Sequence, residues 1–202
     1  MRLFVFGYAS LLDLTSLART IPDLSEGACI PSVAKGHLRR WSVAFPNNGS
    51  QADKSYFDKD GERPSFVLFV NLERRQGEVG MKECVGANGI LIPVAEDTIQ
   101  RIAGRELRYR LVDITSSIAF YPEFVDRTGG PFQVFTSAAL PKFTRAQDIK
   151  RGVISREYKD TIEAGVRHWE QRVPGFLRDY QRSTVQDPGV EVHDLTRVDY
   201  LL

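Results

Sequence analysis

Apolar residues in the first two thirds of the chain fall into short continuous runs, separated by more polar segments. Runs of this length, rich in β-branched and aromatic residues, are typical of strands buried on both faces. The pattern predicts strands over residues 3–6, 29–34, 41–45, 65–72, 87–94, 109–114 and 131–138. The polar stretch over residues 47–64 interrupts this series and is predicted to be a long exposed loop.

The last third of the chain changes to a helical period. Five residues fall on one face at helical spacing, with charges opposite: Tyr158, Ile162, Gly165, Val166 and Trp169. Shorter helices are predicted over residues 11–19, 96–102 and 176–182. Strands come first and helices late, without regular βαβ alternation, so the pattern predicts an α+β fold or a small barrel with helices against it. With 202 residues, we expect one domain over residues 1–202.

Composition and charge narrow the function classes. Hydrophobic residues make up 42% of the chain and charged residues 26%, which is ordinary for a globular protein. A net charge of +1 provides no electrostatic surface for nucleic acid or an anionic membrane, so neither is expected as a partner. Cys29 and Cys84 lie far apart without a CxxC pair and are expected to be reduced, mostly buried thiols. A cytoplasmic enzyme or binding protein is therefore expected.

The sequence lacks the motifs of several common kinds of functional site. The sequence has no GxxxxGK[ST] phosphate loop and no GxGxxG after a strand, so nucleotide binding is not indicated. The three histidines, His37, His168 and His193, lack the spacing of metal ligands, so no metal is expected. The remaining chemistry must come from carboxylates, hydroxyls and the main chain.

The segment FVFGYASLL joins the first strand to a helix with almost no loop, because Ser10 and Asp13 form a capping-box-like pair directly after the strand. Such a corner places several backbone N–H groups near the positive end of a helix, where they bind carboxylates and stabilise oxyanions. Gly7 and Ala9 leave the main chain accessible, and Tyr8 and Ser10 add hydroxyls. The alternative is that small residues simply pack a strand against a helix, which the local sequence alone favours.

Four segments of the chain together carry a resemblance: FVFGYASLL, AKGHLRRW, NGILIPVAEDTIQRIAGRELRYRLVDI and REYKDTIEAGVRHW. In this order they resemble the corresponding segments of the gamma-glutamylcyclotransferase-like superfamily. The resemblance implies an α+β fold, a small mixed β-barrel with flanking helices, and a cavity at the mouth of the first strand. It implies that the α-amine of a small γ-glutamyl substrate attacks the γ-carbonyl and releases 5-oxoproline and an amine or amino acid. No metal or cofactor takes part in that reaction.

The resemblance also implies roles for individual residues. Glu106 matches the catalytic glutamate of the family and would carry protons from the α-ammonium to the departing nitrogen. Tyr158 matches a late tyrosine that binds substrate. The other implied substrate-binding residues are those of the corner: Phe6, Gly7, Tyr8, Ala9, Ser10 and Leu11. Structural alternatives stay open, since Glu106 could instead be solvated and paired with Arg105 or Arg108, and Tyr158 could pack in the core.

The sequence departs from the family pattern at two places. Ala9 stands where the family usually has Gly, and a Cβ there would be strained if the position required a positive φ. Leu107, Arg108 and Tyr109 stand where glutathione-specific members have Gly-Gly-Tyr, so specificity for glutathione is not expected.

Two other functions remain open at this point. A non-catalytic member of the fold would bind an acidic metabolite or a protein partner, and Ala9 favours this hypothesis. An unrelated acyl-transfer enzyme would use Ser10 as nucleophile, but the sequence places no base beside it. Arg39 and Arg40 are interpreted as structural ion-pair partners rather than substrate ligands. The sequence leaves the oligomeric state open.

Overall fold

A computed structural model describes residues 1–51, 53–75, 86–125, 127–185 and 189–200. Its strands in chain order are β1 Arg2–Gly7, β2 Ile30–Ala34, β3 His37–Pro46, β4 Lys54–Phe57, β5 Phe66–Arg74, β6 Ala87–Val94, β7 Tyr109–Asp113, β8 Ile118–Phe120, β9 Phe132–Ala139, β10 Gly152–Ser155, β11 Thr184–Val185, β12 Val192–His193 and β13 Thr196–Asp199. Its α-helices are α1 Leu14–Ala18, α2 Glu96–Arg105, α3 Ala146–Ile149, α4 Arg156–Glu170 and α5 Phe176–Arg182.

Two mixed sheets form the body of the protein. The first has six strands in the order β7-β9-β1-β6-β2-β8, and the second has five in the order β11-β3-β5-β10-β12. Strand β1 is central, antiparallel to β6 and parallel to β9, and it is buried over most of its length, as its continuous apolar run predicts. A third, two-stranded sheet pairs β4 with β13. The predicted α+β fold class is confirmed, with the strands arranged as a curled half-barrel and the helices packed beside it.

Side chains close the gap between the two large sheets. The Asn71 side chain on β5 accepts a hydrogen bond from the Ala139 N–H of β9 at 2.9 Å, and the Tyr109 hydroxyl donates to the Val70 carbonyl at 2.8 Å. These contacts satisfy a backbone N–H of β9 and a backbone carbonyl of β5, as burial of these groups requires. The main core fills the space between the sheets and includes Phe6, Leu68 and residues of α4 such as Ile162 and Val166.

The fully buried Arg39 also links the sheets. Its guanidinium donates to the backbone carbonyl and side-chain oxygen of Asn88 on β6, to Thr184 Oγ1 at 2.9 Å and to Ser183 Oγ, and it lies over the Tyr180 ring. Among the described residues it has no carboxylate partner, so the structural role predicted for Arg39 holds but the ion pair does not. Arg40 does pair with a carboxylate, that of Glu73, at 3.3 Å.

The chain after β1 differs from the predicted single helix over residues 11–19. Ser10–Leu12 forms one 3₁₀ turn, Asp13 is extended, and α1 begins only at Leu14. The reason is that the Asp13 carboxylate itself accepts the Ser16 N–H at 2.7 Å, so Asp13 caps α1 instead of completing a capping box with Ser10. The corner therefore leads into a separate 3₁₀ turn and not directly into an α-helix.

The predicted exposed loop over residues 47–64 is wrong in its middle. Residues 54–57 form β4, and Ser55 and Tyr56 are buried. The buried Asn47 side chain donates to the carbonyls of Tyr56 (2.7 Å) and Pro64 (3.1 Å) and accepts the Tyr56 N–H at 2.8 Å. One amide side chain thus hydrogen-bonds the main chain of β4 in addition to its strand partner, β13.

Two remaining expectations concern thiols and membranes. Cys29 is buried, as expected, and burial followed by the charge of Glu26 raises the pKa of its thiol to about 12. Cys84 lies outside the described residues. Within the described ranges, no helix has both the length and the apolar character needed to cross a bilayer.

Helix α4 approaches the Ser10–Leu12 turn so closely that only a glycine fits between them. A Cβ on Gly165 would lie 2.5 Å from the Leu12 carbonyl carbon and 2.6 Å from the Asp13 nitrogen. One helical turn later, Trp169 Nε1 donates to the Leu12 carbonyl at 3.0 Å. The position of the turn relative to α4 is thereby fixed by backbone contact.

Replacing Gly165 by Ala is expected to lower the free energy of unfolding by about 1–3 kcal/mol, because a methyl group there must displace main-chain atoms. Chemical denaturation followed by circular dichroism measures the change. Gly104→Ala in α2 is the matched control, since its Cβ would meet nothing within 4 Å and should stabilise the helix by roughly 0.5–1 kcal/mol. Equal stability of the two variants would contradict the close approach.

Candidate functional site

A cavity of about 360 Å³ opens beside the end of β1. Its wall is formed by the Ser10–Leu12 turn and α1, the segment joining α2 to β7, the first two turns of α4, and the two-stranded sheet of β4 and β13. Ser10, Glu106 and Tyr158, which the sequence places far apart, all line this one cavity. Its size lies within the roughly 300–1,000 Å³ typical of small-ligand sites.

Glu106 is positioned by the end of α2. Its N–H donates to the Ile102 carbonyl at 3.0 Å, and its own carbonyl accepts the Tyr109 N–H at 2.9 Å, so the residue is held between the helix and β7. The side chain is partly buried in the cavity wall. Its negative charge is close enough to raise the pKa of three tyrosines, Tyr8, Tyr109 and Tyr158, in each case after burial as the largest cause.

These three tyrosine hydroxyls meet at the unpaired edge of β5. The Tyr8 hydroxyl donates to the Ser137 carbonyl at 2.8 Å and interacts with the Leu72 backbone, while those of Tyr109 and Tyr158 both reach the Val70 backbone. Because burial and the nearby carboxylate raise the pKa of all three phenols, they are neutral at physiological pH. The Glu106 carboxylate therefore lies near three neutral tyrosine hydroxyls.

Tyr158 serves the core and the cavity together. Its ring packs edge-on against Trp41 and Phe69, with centroid distances of 5.8 and 4.9 Å, while the residue also lines the cavity. Tyr158 is thus a core residue and a cavity residue at the same time.

The corner residues divide into two groups. Phe6, Tyr8 and Leu11 are buried in the core, and Gly7 is buried with no room for a Cβ, which would lie 2.9 Å from Leu11 Cβ. Ser10 lines the cavity itself. Ala9 has φ −133°, so the position does not have the positive φ that would favour glycine. Within the described ranges, no hydrogen bond joins the N–H groups of Ala9, Ser10 or Leu11 to another residue.

Arg108 and Asp53 form an ion pair in the same wall. The two terminal nitrogens of Arg108 donate to the two oxygens of Asp53, with Nη1 and Oδ2 2.9 Å apart. Burial raises the pKa of the Asp53 carboxyl, but the hydrogen bonds and charge of Arg108 outweigh this and lower it. Arg108 is therefore engaged by Asp53; the side chain of Arg105, the other partner considered for Glu106, lies outside the described residues.

Lys54, at the start of β4, contributes a partly buried cation. Its ammonium nitrogen lies 5.0 Å from the centroid of the Phe69 ring and 5.8 Å from that of Phe45. Burial, together with the positive charges of Arg197 and Arg108, lowers the pKa of Lys54 to about 8, although Asp53 and Glu106 oppose the shift. The cavity wall thus combines a carboxylate, an ammonium group with a lowered pKa, and neutral hydroxyls.

The arrangement of strands and helices matches known folds, whereas no protein-family model and no curated protein sequence matches the chain. A solved gamma-glutamyl cyclotransferase superposes with a TM-score of 0.55 at 10% identity, covering 93% of this chain and 90% of that one. A gamma-glutamyl cyclotransferase specific to glutathione from yeast superposes with a TM-score of 0.52 at 12% identity, covering 91% and 97%. The chain has the gamma-glutamyl cyclotransferase fold. The resemblance inferred from the sequence is confirmed at this level.

YkqA from Bacillus subtilis is a third, more distant similarity, with a TM-score of 0.49 at 15% identity. The match covers 90% of this chain but only 53% of YkqA, so the chain spans about half the length of that protein.

Within the gamma-glutamyl cyclotransferase fold, sequence reasoning found three residues of the cavity wall and missed others. Lys54, Asp53 and Arg197 were not singled out, because they lie in a stretch interpreted as loop and in a terminal segment. Arg108 was considered only as a partner of Glu106. No local pattern marks these residues, since their role depends on the pairing of β4 with β13. Among the described residues, no group of three or more His, Cys, Asp or Glu side chains is arranged to hold a metal ion.

Replacing Lys54 by Met is expected to stabilise the protein at pH 7 by on the order of 2 kcal/mol, since the lowered pKa of about 8, against 10.5 ordinarily, means that the folded state disfavours the charged form. Between about pH 8 and 10.5 the folded protein has released this proton while the unfolded chain keeps it. The wild type therefore gains stability relative to the variant as the pH rises through this range. Urea denaturation of both proteins from pH 7 to 10.5 measures the difference, and a constant difference would contradict the burial of a charged Lys54.

Proposed function

We propose that this protein is a cofactor-independent γ-glutamyl cyclotransferase that acts on a small γ-glutamyl amide. The observation that carries the proposal is that Glu106 and Ser10 line one cavity at the end of β1, as the reaction requires of a proton carrier and an oxygen-binding corner. The shared fold supports the proposal, although the identity to those enzymes is only 10–12%. Small γ-glutamyl substrates, without nucleic acid or membrane, are the proposed partners, and the cytoplasm is the proposed location.

The first requirement of the reaction is a folded substrate. When the α-amine is held against the γ-carbonyl, cyclisation is unimolecular, and positioning contributes on the order of 7 kcal/mol or more to lowering the barrier. Ser10 of the corner lines the cavity, so its hydroxyl and N–H suit the binding of a substrate carboxylate or carbonyl oxygen. The hydroxyl of Tyr158 is neutral and fixed by packing, so it can hydrogen-bond the substrate without reorganising.

Proton transfer is the second requirement, and Glu106 is the proposed carrier. Glu106 removes a proton from the α-ammonium, and the free amine then attacks the γ-carbonyl carbon, which forms the new C–N bond. The tetrahedral oxyanion is stabilised by N–H groups of the corner. As the original amide C–N bond breaks, Glu106 returns a proton to the departing nitrogen. Two protons move in total from the α-nitrogen to the amine product, so the reaction leaves Glu106 unchanged.

Ala9 gave the main reason to expect a non-catalytic protein. Its φ is −133°, so the position does not have the positive φ at which a Cβ was expected to be strained, and that argument against a functional corner is removed. The proposal of an enzyme is therefore favoured over that of a binding protein. The acyl-transfer alternative based on Ser10 is less favoured, because the sequence places no base beside it and the described residues that line the cavity include no histidine.

Substituting Gln for Glu106 is expected to lower the rate of 5-oxoproline release by a factor of about 10²–10⁴, since an amide cannot accept the proton. Chromatographic detection of 5-oxoproline from γ-glutamyl-alanine measures the rate, and circular dichroism checks that the variant is folded. Glu123→Gln, at an exposed position away from the cavity, is the matched control and should retain full activity. Wild-type activity in the Glu106 variant would remove Glu106 from the mechanism.

A further inference from the structure

The amine of Lys54 has no polar partner in the part of the chain that the structure describes. Its nitrogen makes no hydrogen bond and no ion pair there, and it lies over the rings of Phe69 and Phe45, 5.0 and 5.8 Å from their centroids. The adjacent carboxylate, that of Asp53, is taken by Arg108. A lysine nitrogen held in this way has a lone pair that no neighbour engages once its proton is lost.

The same amine is accessible from the cavity. Lys54 lines the cavity wall together with Glu106 and Tyr158. The Phe69 ring below its nitrogen also lines the cavity and packs against Tyr158, with a centroid distance of 4.9 Å. Lys54 is half-buried, and its nitrogen is not fully enclosed, in contrast to the buried Nε of Arg108. A small molecule in the cavity can therefore reach the Lys54 nitrogen.

The surroundings of Lys54 also favour its neutral form. Burial and the positive charges of Arg197 and Arg108 lower its pKa to about 8, and the negative charges of Asp53 and Glu106 only partly oppose the shift. Near pH 7.5 roughly a quarter of the Lys54 amines are then neutral, against about one in a thousand for an ordinary lysine. Desolvation beside other cations is a known way to make a lysine nucleophilic.

We propose that Lys54 is a nucleophilic amine that forms an imine with a small aldehyde admitted to the cavity. The nitrogen attacks the carbonyl carbon, a proton passes from nitrogen to oxygen, and the carbinolamine loses that oxygen as water when the C=N bond forms. Amine and aldehyde thus give imine and water, and no oxidant or reductant is needed. Glu106 in the same wall can carry the proton between nitrogen and oxygen, and the Phe69 ring gives the carbon chain of the aldehyde an apolar contact.

Imine formation at Lys54 requires no step of the cyclotransferase reaction. It makes Lys54 a site of covalent modification, with small aldehydes as the reacting class. The adduct occupies the cavity beside Glu106 and Tyr158, so a bound aldehyde excludes a second ligand from the site.

Reductive alkylation of the wild type with acetaldehyde and sodium cyanoborohydride tests the reaction. Cyanoborohydride reduces an imine to a secondary amine, so a lysine that forms the imine keeps an ethyl group, which peptide mass spectrometry locates. At pH 7.5 Lys54 is expected to be labelled about tenfold faster than Lys59, because its larger neutral fraction outweighs the lower nucleophilicity of a less basic amine. Lys59, at an exposed position two residues beyond β4, is the internal reference. Between about pH 8 and 10 the ratio should fall, since Lys54 is already largely neutral there while an exposed amine still loses protons.

A change in the surroundings of Lys54 separates activation of the amine from simple exposure. Arg197→Met removes the positive charge with the largest effect on Lys54 and is expected to lower the ratio of Lys54 to Lys59 labelling severalfold. Arg167→Met, at an exposed position of α4 outside the cavity wall, is the matched control and should leave the ratio unchanged. Circular dichroism checks that both variants are folded.

The opposite results are equally defined. Labelling of Lys54 no faster than that of Lys59 at pH 7.5, or an unchanged ratio in folded Arg197→Met, overturns the activated amine. Stable labelling of Lys54 without cyanoborohydride overturns the imine, because an imine hydrolyses back to the free amine unless it is reduced. A wild type that releases no 5-oxoproline but labels Lys54 as expected contradicts the cyclotransferase proposal alone, so the two proposals fail in different measurements.

Discussion

The candidate site depends on the backbone contact between α4 and the turn that follows β1. Gly165 lets the helix lie directly on Leu12 and Asp13, and Trp169 ties its indole N–H to the Leu12 carbonyl. The same helix carries Tyr158 two turns earlier, so this contact sets the distance between the corner and one side of the cavity. A residue larger than glycine at position 165 would separate the helix from the turn and widen the site without touching any cavity residue.

Polar side chains, rather than strand pairing, join the two sheets. The edge of β5 at Val70 and Leu72 is met by tyrosine hydroxyls, and Arg39 spans from β3 to Asn88 on β6. Buried backbone groups thereby find partners although the half-barrel is not closed by a continuous ladder. The tyrosine hydroxyls that contact this edge are also those close to Glu106. The same side chains therefore satisfy the edge of β5 and make the surroundings of Glu106 polar.

The sequence predicted those elements whose burial leaves a local pattern of apolar residues. Strands β1 and β6 contain continuous apolar runs because these segments are largely buried, and α4 has a helical apolar stripe against the core. The predicted start of the first helix at residue 11 was wrong because an acidic residue three positions after Ser10 fits a capping box as well as it fits an N-cap. Asp13 is in fact the N-cap of α1. Strand β4 was missed because its partner, β13, lies about 140 residues away and because Asn47, a residue typical of turns, supplies its hydrogen bonds. Lys54 and the pairing of Arg108 with Asp53 could not be foreseen without that strand.

The small sheet of β4 and β13 has a consequence for how such a protein can diverge. It supplies Asp53, Lys54 and Arg197 to one side of the cavity, while the corner, Glu106 and Tyr158 belong to the large sheets and helices. Under the proposed function, substitutions in this two-stranded sheet would change which molecules the cavity accommodates without replacing Glu106 or Tyr158. A change of selectivity in such a protein would then require the exchange of only a few residues of β4 and β13, with the two large sheets unchanged.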